Sequence, residues 1–446
     1  MNPEDSIDDS ERIKLLMEQF KSKVFQSKDE IFSALDAIGK IISRNSDFLN
    51  STQLSVATDC LRVIRQACPQ GADVQSYIVN ALPVIGFIES VFTTALKDAN
   101  KQLYLVSLQV LANLIINHSS NQQVIWGHFN QLLVKFLQAS DFPHKDMCLM
   151  LLHNIYCVGG LIQDNGKDFL KLLLQILEEE IHNGKSTIPE FLQLFLEHFV
   201  TKQKRVTPMY MLLSSNERIL LLNFVSDLIK ENHSGDTVVT TELLQCISKE
   251  FKKKSDCILK TETTYLNCIE PKEVMALVEV ISQASADKSY KHVFADDGSL
   301  FLNIGCLLRN VQALGKNGEN IFSPIQKLEQ IAPSSTSNAE FEADVSYSLK
   351  TMLVRSIGNL ACRNSKNQDL AREMEIMMAV LDCTHMDARN PLIKEWSILA
   401  IRNLCEGNME NQQLIASLTK VGDADNSDIL KEFNIDLGSM RINPSV

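Results

Sequence analysis

Two histidines and two cysteines at short spacing come nearest to a metal-binding pattern in this sequence. His144 and Cys148 are four residues apart, as are His153 and Cys157, and that spacing places two ligands side by side on a helix. At about 100° per residue, the four residues of one unbroken helix would lie near 0°, 40°, 180° and 220°. The two pairs would then face opposite ways, whereas a structural zinc ion takes four converging ligands. The sequence therefore predicts an ordinary packed helix here, with no metal site and no cofactor.

Catalytic motifs with a defined spacing are missing from the sequence. It contains no GxxxxGK[ST], GxGxxG, HExxH, CxxC or GxSxG, the patterns that bind phosphate, dinucleotide or zinc, or present a nucleophile. The acidic run Glu178–Glu180 supplies carboxylates, but a general acid and a general base need differently tuned surroundings in one cleft. We interpret this run as a solvated helix face and predict that the protein is not an enzyme.

Asparagine recurs at a fixed spacing. In three segments an Asn-Leu pair is followed, eight residues after its Asn, by a second Asn that precedes Gln. The pairs are Asn113 with Asn121, Asn359 with Asn367, and Asn403 with Asn411. An amide side chain both donates and accepts hydrogen bonds. Such residues can therefore grip the backbone of a bound peptide or satisfy backbone groups of the protein itself.

Helices must position these residues, because apolar side chains recur at three- and four-residue steps along nearly the whole chain. The spacing from Asn359 to Asn403 is 44 residues, and that from Asn113 to Asn154 is 41, a period typical of armadillo and HEAT repeats. We predict an all-α, armadillo/HEAT-like helical repeat solenoid. In each repeat, the second Asn is predicted to cap the following helix by accepting from its first free amide groups.

Four parts of the chain are predicted. Residues 1–30 form an acidic N-terminal helix or tail, and residues 31–345 hold armadillo/HEAT-like repeats whose signature is degenerate over 160–300. Residues 346–420 hold the C-terminal armadillo repeats, and residues 421–446 form a C-terminal tail. The polar interruption Ala332–Asp344 is predicted to be a loop or an insertion.

Five residues on the Asn-bearing helices are the candidate partner-binding residues: Arg355, Asn359, Arg402, Asn403 and Asn113. Arg355 would share a helix face with Asn359, and Arg402 adjoins Asn403, which suits an acidic or polar peptide. The alternative is that the Asn side chains satisfy buried backbone groups at the turns. Armadillo proteins of the nuclear-import type place a Trp four residues before each ligand-gripping Asn. Here those positions hold Gln, Arg and Leu, and the two tryptophans of the chain, Trp126 and Trp396, are predicted to be core residues.

Composition indicates an intracellular globular protein. The 446 residues carry a net charge of −12, which argues against nucleic acid as the main partner. Eleven cysteines without a dense framework indicate reduced thiols. The acidic start MNPEDSIDDSERIK resembles neither a signal nor a transit peptide. The longest apolar stretch, Tyr77–Phe92, is too short and interrupted to cross a bilayer, so we expect a cytoplasmic protein without a membrane span.

The C-terminal repeats resemble a known family. The segments LVRSIGNLACRNSKNQDLAREM from Leu353 and NPLIKEWSILAIRNLCEGNMENQQLI from Asn390 are similar to the C-terminal conserved domain of the ataxin-10 family. Further stretches look similar over most of the chain: LRVIRQAC from Leu61, LQVLANLIINHSSNQQVIW from Leu108 and LSSNERILLLNFVSDLI from Leu213. The resemblance implies an armadillo-like solenoid without known catalytic activity.

The resemblance also implies a function and partners. It implies a role in the regulation of cytokinesis and in signalling and neuronal maintenance, at a cytoplasmic location that includes the perinuclear region, the centrosome or basal body, and the midbody. The implied partners are O-linked N-acetylglucosamine transferase, the G-protein β subunit and further copies of the chain. We predict a non-catalytic protein–protein interaction scaffold. The alternative is an armadillo-type peptide or cargo adaptor, against which the missing Trp array counts.

Overall fold

The regular structure of the chain is helical in the computed structural model. The structure describes residues 9–44, 51–93, 101–139, 141–158, 166–184, 187–202, 206–232, 236–260, 268–325 and 345–418. Over these ranges there are helices and turns but no strand, which confirms the predicted all-α fold. The predicted loop at Ala332–Asp344 and the predicted tail at 421–446 lie outside the described residues, as do residues 1–8.

The chain divides into two compact units, Met1–His198 and Phe199–Val446. The helices of the first unit are α1 (Asp9–Ser22), α2 (Lys28–Arg44), α3 (Ser51–Ala67), α4 (Ala72–Ala81), α5 (Val84–Thr93), α6 (Lys101–Ile115), α7 (Ser119–Gln138), α8 (Lys145–His153) and α9 (Gly166–His182). Helix α10 (Glu190–Lys202) contains the boundary. The helices of the second unit are α11 (Val206–Met211), α12 (Ser215–Glu231), α13 (Thr241–Lys254), α14 (Ile269–Ala286), α15 (Lys291–Phe294), α16 (Gly298–Lys316), α17 (Leu349–Ala361), α18 (Ser365–Glu373), α19 (Ile376–Asp382), α20 (Ile393–Cys405) and α21 (Met409–Ser417). The four-part division predicted from the sequence stays a prediction.

One row of helices packs side by side in each unit and forms the core of the repeats. In the first unit α3 packs between α1 and α6. In the second unit the row runs α12, α14, α17, α20, and each of these helices packs extensively on the next; we call this the main row. Each repeat buries its apolar face against its neighbours, which is how a solenoid is stabilised. The stacking confirms the predicted helical repeat fold.

A glycine sets the close approach of α17 and α20 in the main row. A Cβ atom at Gly358 would lie 2.9 Å from the Cα atom and 3.0 Å from the Cβ atom of Ala400. A larger residue at either position would force the two helices apart. The small pair therefore fixes the spacing of the helices that carry Arg355 and Asn403.

Buried ion pairs connect α12, α13 and α14. Glu273 of α14 is buried, and its Oε1 atom lies 3.0 Å from Arg218 Nε of α12 and 2.6 Å from Lys254 Nζ of α13. Helix α12 begins with a capping box. Ser214 Oγ accepts from the Glu217 backbone N–H, and the Glu217 side chain accepts from the Ser214 backbone N–H. Paired in this way, the buried charges hold three helices in one arrangement, since removing one partner would leave the others uncompensated.

Among the described helices, α4 and α5 together have the length and apolar composition of a membrane span, but they are bent by 63° relative to each other. Their apolar side chains, such as Ile78, Ile88 and Val91, are buried. Among the described residues, no single helix is both long and apolar enough to cross a bilayer.

Candidate functional site

Of the two His–Cys pairs, the structure describes the side chains of His144, Cys148 and His153. His144 precedes α8, and its Nε2 atom lies 2.9 Å from the Lys101 carbonyl oxygen. Cys148 is buried within α8, and burial raises the pKa of its thiol. Helix α8 ends at His153, and the Cys157 side chain lies outside the described residues. In the part of the chain that the structure describes, no three His, Cys, Asp or Glu side chains are grouped as metal ligands.

The second Asn of each pair does not cap the following helix, so that prediction was wrong. In the repeat of Asn359 the cap is Asn364, whose Oδ1 accepts from the Asn367 backbone N–H at 3.2 Å. The Asn367 side chain instead reaches back, and its Nδ2 donates to the Leu360 carbonyl oxygen at 2.9 Å. The same bond joins Asn121 to Leu114 (2.9 Å) and Asn411 to Leu404 (2.8 Å). The reason is that a helix ends with four carbonyl groups that lack partners within the helix, and burying them unpaired is costly.

A residue in the left-handed conformation turns the chain back at each of these helix ends. It stands four residues after the first Asn of the pair, as Asn117 (φ 54°), Arg363 (φ 56°) and Gly407 (φ 72°). Left-handed residues commonly end helices, because they direct the chain so that the terminal carbonyl groups can be satisfied. The Asn-to-Asn spacing of eight residues therefore reflects one turn geometry used three times.

The Gln that follows each second Asn bonds across the same turn. Gln122 donates to the Ile115 oxygen (3.1 Å), Gln368 to Ala361 (3.3 Å) and Gln412 to Cys405 (2.8 Å). Gln368 Nε2 also reaches the next repeat, at 2.9 Å from the Asn403 oxygen and 3.0 Å from the Glu406 oxygen. Gln75, in the first unit, bonds to the Asn113 (2.7 Å) and Ile116 (3.3 Å) oxygens in the same way. One Gln thus connects consecutive repeats in each unit.

The first Asn of each pair also bonds within the protein. Asn113 Nδ2 donates to the Arg65 oxygen (3.2 Å), Asn403 Nδ2 to the Gly358 oxygen (2.9 Å), and Asn359 Nδ2 to the Ser282 oxygen (3.3 Å) and Ser285 Oγ (3.2 Å). Every acceptor lies on the preceding helix of its row. These contacts favour an architectural role, and the partner-binding role predicted for the three residues stays a prediction. Arg402, beside Asn403, is exposed.

A groove crosses the main row of the second unit and contains one of the five candidate residues, Arg355. Its volume is about 490 Å³. The residues that α14 contributes include Lys272, Met275, Glu279 and Gln283, and their spacing of three or four places them on one helix face. Helices α12 and α17 also contribute residues that share one helix face, and α20 contributes Trp396. The helix packing therefore brings polar and aromatic side chains from four helices to one open surface.

Arg355 is held in the groove by two neighbours. The carbon of its guanidinium group lies 4.9 Å from the centroid of the Trp396 ring, a cation–π contact. Its Nη2 atom donates to Gln283 Oε1 at 2.7 Å, while its Nε atom is shielded from solvent and has no hydrogen-bond partner. Burial lowers the pKa of Arg355 below its ordinary value, and the nearby charge of Glu279 partly opposes this. The cation is thus fixed in position and only partly compensated.

Positive charge prevails along the groove. Three cations line it, Lys230, Lys272 and Arg355, against one carboxylate, Glu279. Lys230 Nζ lies 3.8 Å from Glu279 and 3.6 Å from Asp227, so its charge is partly neutralised. Lys272 is exposed and has no ion-pair partner among the described residues. In a chain of net charge −12, this surface is suited to a negatively charged ligand.

Trp396 is the residue of the groove that the sequence assigned to the wrong environment. It was predicted to be a core residue, but it is only half-buried and lines the groove. A signal was present, because Arg355 and Trp396 are 41 residues apart, three fewer than Asn359 and Asn403 of the same two repeats. Three residues are close to one helical turn, so the two side chains fall at similar positions on neighbouring helices. Trp126 of the first unit is also half-buried, beside a separate cavity of about 370 Å³.

Known proteins resemble this chain over most of its length. Residues 349–441 match the family model described as spinocerebellar ataxia type 10 protein domain. The chain is 27% identical to ataxin-10 of Bos taurus, over 87% of this chain and 81% of that protein. It is 26% identical to ataxin-10 of Xenopus tropicalis, over 93% and 85%. Across 89 residues, 20% of this chain and 14% of the relative, it is 48% identical to the ataxin-10 homolog of Dictyostelium discoideum.

The family-model match covers α17 and α20, the two helices that bring Arg355 and Trp396 together. It also covers two of the three Asn–Gln turns, those of Asn359 and Asn403. The resemblance found at the C-terminal repeats is confirmed there, and the relatives extend it across both units of the chain. The chain is similar to ataxin-10 proteins over most of its length, and its C-terminal repeats match the family's domain model.

Proposed function

We propose that this protein is a non-catalytic scaffold that binds partner proteins in the groove of the main row. The observation that carries the proposal is the fixed, partly compensated Arg355 beside Trp396 in an open groove built by four helices. Rigid helices that expose an anchored Arg and an aromatic ring are typical of protein-binding surfaces. The open surface favours a polypeptide over a small substrate, which a deep concave pocket would enclose.

The side chains of the groove support a binding role rather than a catalytic one. Among its described lining residues there is no His and no Cys, and its one carboxylate, Glu279, faces Lys230 at 3.8 Å. A catalytic site needs a nucleophile or a general base within hydrogen-bond reach of a second group that activates it. The groove supplies fixed charges and aromatic surface, which position a ligand without transforming it.

Similarity to the ataxin-10 family supports a finer assignment of this scaffold. It acts in the regulation of cytokinesis and in signalling and neuronal maintenance. Its partners are O-linked N-acetylglucosamine transferase, the G-protein β subunit and further copies of itself, and its location is cytoplasmic, including the centrosome and the midbody. The alternative, an adaptor for basic localisation peptides, is disfavoured, because Lys272 and Arg355 would repel a basic ligand.

Pull-down of purified partners tests the proposal. The immobilised chain is offered O-linked N-acetylglucosamine transferase and the G-protein β subunit, beside a variant with Arg355→Glu and Lys272→Glu. The matched control is Lys394→Glu, an exposed cation in the first turn of α20. We expect the groove variant to lose at least one partner and the control to keep it, with equal helix content by circular dichroism. Equal capture by wild type and the groove variant would contradict the proposal.

A further inference from the structure

We infer that the groove binds an extended acidic peptide segment of a partner protein, whose carboxylates pair with Arg355 and Lys272; this rests on the proposed scaffold function. The scaffold role by itself leaves the chemistry of the bound segment open. Four features of the described residues support an acidic segment: the unused donors of Arg355, the unpaired charge of Lys272, the unused amide groups in the groove, and the separation of the two cations.

Arg355 has donors to spare in the orientation that suits a carboxylate. Of the five N–H donors of a guanidinium group, one bonds to Gln283, and Nη1 has no partner among the described residues. Stacking on Trp396 uses the face of the guanidinium plane and leaves its edge available. Because carboxylates bind Arg along that edge, the stacked group is already oriented for an Asp or Glu side chain.

Lys272 supplies a second point of attachment on the neighbouring helix. It is exposed at the first turn of α14, and no carboxylate pairs with it among the described residues. Cations are not stabilised at the start of a helix, where the helix dipole favours negative charge. A bound carboxylate would relieve that unfavourable placement while it pairs with the lysine. Lys272 therefore contributes little to the stability of its own helix, whereas it can pair with an acidic ligand.

Amide side chains in the same groove offer bonds to a peptide backbone. Gln283 accepts from Arg355 through Oε1, which leaves its Nε2 donors unused among the described residues. Asn223 of α12 is exposed and has no hydrogen-bond partner in the described part of the chain. An extended peptide needs such donors and acceptors, because its backbone groups are not satisfied internally. This favours an extended ligand over a helical one.

The separation of the two cations indicates the size of the segment. Gln283, which bonds to Arg355, lies eleven residues after Lys272 on α14, about 16 Å along the helix axis. An extended chain advances about 3.3 Å per residue, so about five residues separate the two points of attachment. Alternate side chains of such a segment face the same way, so acidic residues at every second position would face the groove.

Fluorescence anisotropy with defined probes tests the assignment. The acidic probe is a fluorescein-labelled ten-residue peptide with Glu at alternate positions and Ala or Leu between, and the basic probe has Lys in place of each Glu. Both are titrated with the full chain, with Arg355→Glu, with Lys272→Glu and with Lys394→Glu. Lys272→Glu places an anion in the first turn of α14, where it does not destabilise the helix, so loss of binding by this variant is not loss of fold.

We expect the acidic probe to bind the full chain and the basic probe not to bind. Arg355→Glu and Lys272→Glu should each weaken binding about tenfold or more, and Lys394→Glu by less than about twofold. Equal binding of the two probes, no binding of the acidic probe, or no loss in both groove variants would overturn the assignment.

A deletion of residues 419–446 separates a partner segment from the chain's own acidic sequence GDADNSDILKEF at 422–433. If the acidic probe binds only after the deletion, the occupant is this segment of the chain itself, and the partner assignment is overturned. If the purified partners still require the groove while the acidic probe fails, the scaffold function stands and the acidic chemistry is wrong. If capture of the purified partners does not depend on the groove residues either, both proposals are wrong.

Discussion

The turns at the helix ends and the groove across the main row use polar side chains in opposite ways. At the turns, Asn and Gln repeat at a fixed spacing, and their amides bond to backbone carbonyl groups, as Asn367 does to Leu360. In the groove, Arg355 and Lys272 follow no repeated pattern and keep unused donors. Three repeats end a helix with the same turn, whereas the charged residues of the groove occur once. Repetition therefore marks architecture in this protein, and the unrepeated charges mark the candidate binding surface.

The largest effect is expected at the turns, from two glutamines in equivalent positions. Gln368 is buried, and three carbonyl oxygens lie within hydrogen-bond distance of its NH2 group, whereas Gln412 is exposed and donates to one. Gln368→Ala should lower the free energy of unfolding by about 2–3 kcal/mol, because it leaves buried carbonyl groups unpaired. Gln412→Ala should cost about 0.5 kcal/mol or less, since water replaces its bond. Urea unfolding of both variants measures these changes. Equal losses of unfolding free energy would show that the stabilisation does not depend on burial of the glutamine.

A second test compares the two regions on one helix, α17, which carries Asn359 of the turn and Arg355 of the groove. Asn359→Ala should lower the free energy of unfolding by about 1 kcal/mol and leave the affinity for the acidic probe within about twofold of wild type. Arg355→Ala should do the reverse, with a tenfold or larger loss of affinity and little loss of stability. Urea unfolding and anisotropy on the same samples measure both quantities. If Asn359→Ala abolishes binding as Arg355→Ala does, the turn and the groove are one site.

A smaller effect is expected from the aromatic neighbour of Arg355. Trp396→Leu removes the cation–π contact, a contribution of about 0.5–1 kcal/mol. Acidic-probe affinity should fall about two- to fivefold as the guanidinium group loses its fixed orientation. Trp126→Leu in the first unit is the matched control, since Trp126 is also half-buried but lines a different cavity. The same loss in both variants would show that Trp396 does not act through Arg355.

The smallest effect is expected from ionic strength, which should change binding in the groove but not the stability that the turns contribute. Raising NaCl from about 50 mM to about 300 mM screens partly exposed charges, so acidic-probe affinity should fall several-fold in wild type and less in Lys272→Glu. The difference in unfolding free energy between wild type and Gln368→Ala should not change, because hydrogen bonds between uncharged amides and carbonyl groups are not screened. A salt-independent affinity would argue against the role of Lys272.

Much of the fold could be predicted from the sequence, and part of the site. The three- and four-residue apolar spacing and the period of 41 to 44 residues identified the helical repeats. Arg355, one of the five candidate residues, lies in the groove. The direction of the Asn367 bond was predicted wrongly, because its backbone position at the start of a helix does not reveal a partner seven residues earlier. Trp396 was assigned to the core, since an apolar helix position does not by itself say which side is covered.

The sequence by itself determined the helices, their repeat period and the amide residues of the three Asn–Gln turns, because these depend on side-chain type and on contacts a few residues apart. Only the tertiary structure decided that Asn403 bonds to Gly358 and that Arg355 meets both Gln283 and Trp396. These partners are 41 to 72 residues apart. Helix packing brings them together, and the resulting burial and pairing determine which polar groups are satisfied and which remain free to bind a partner.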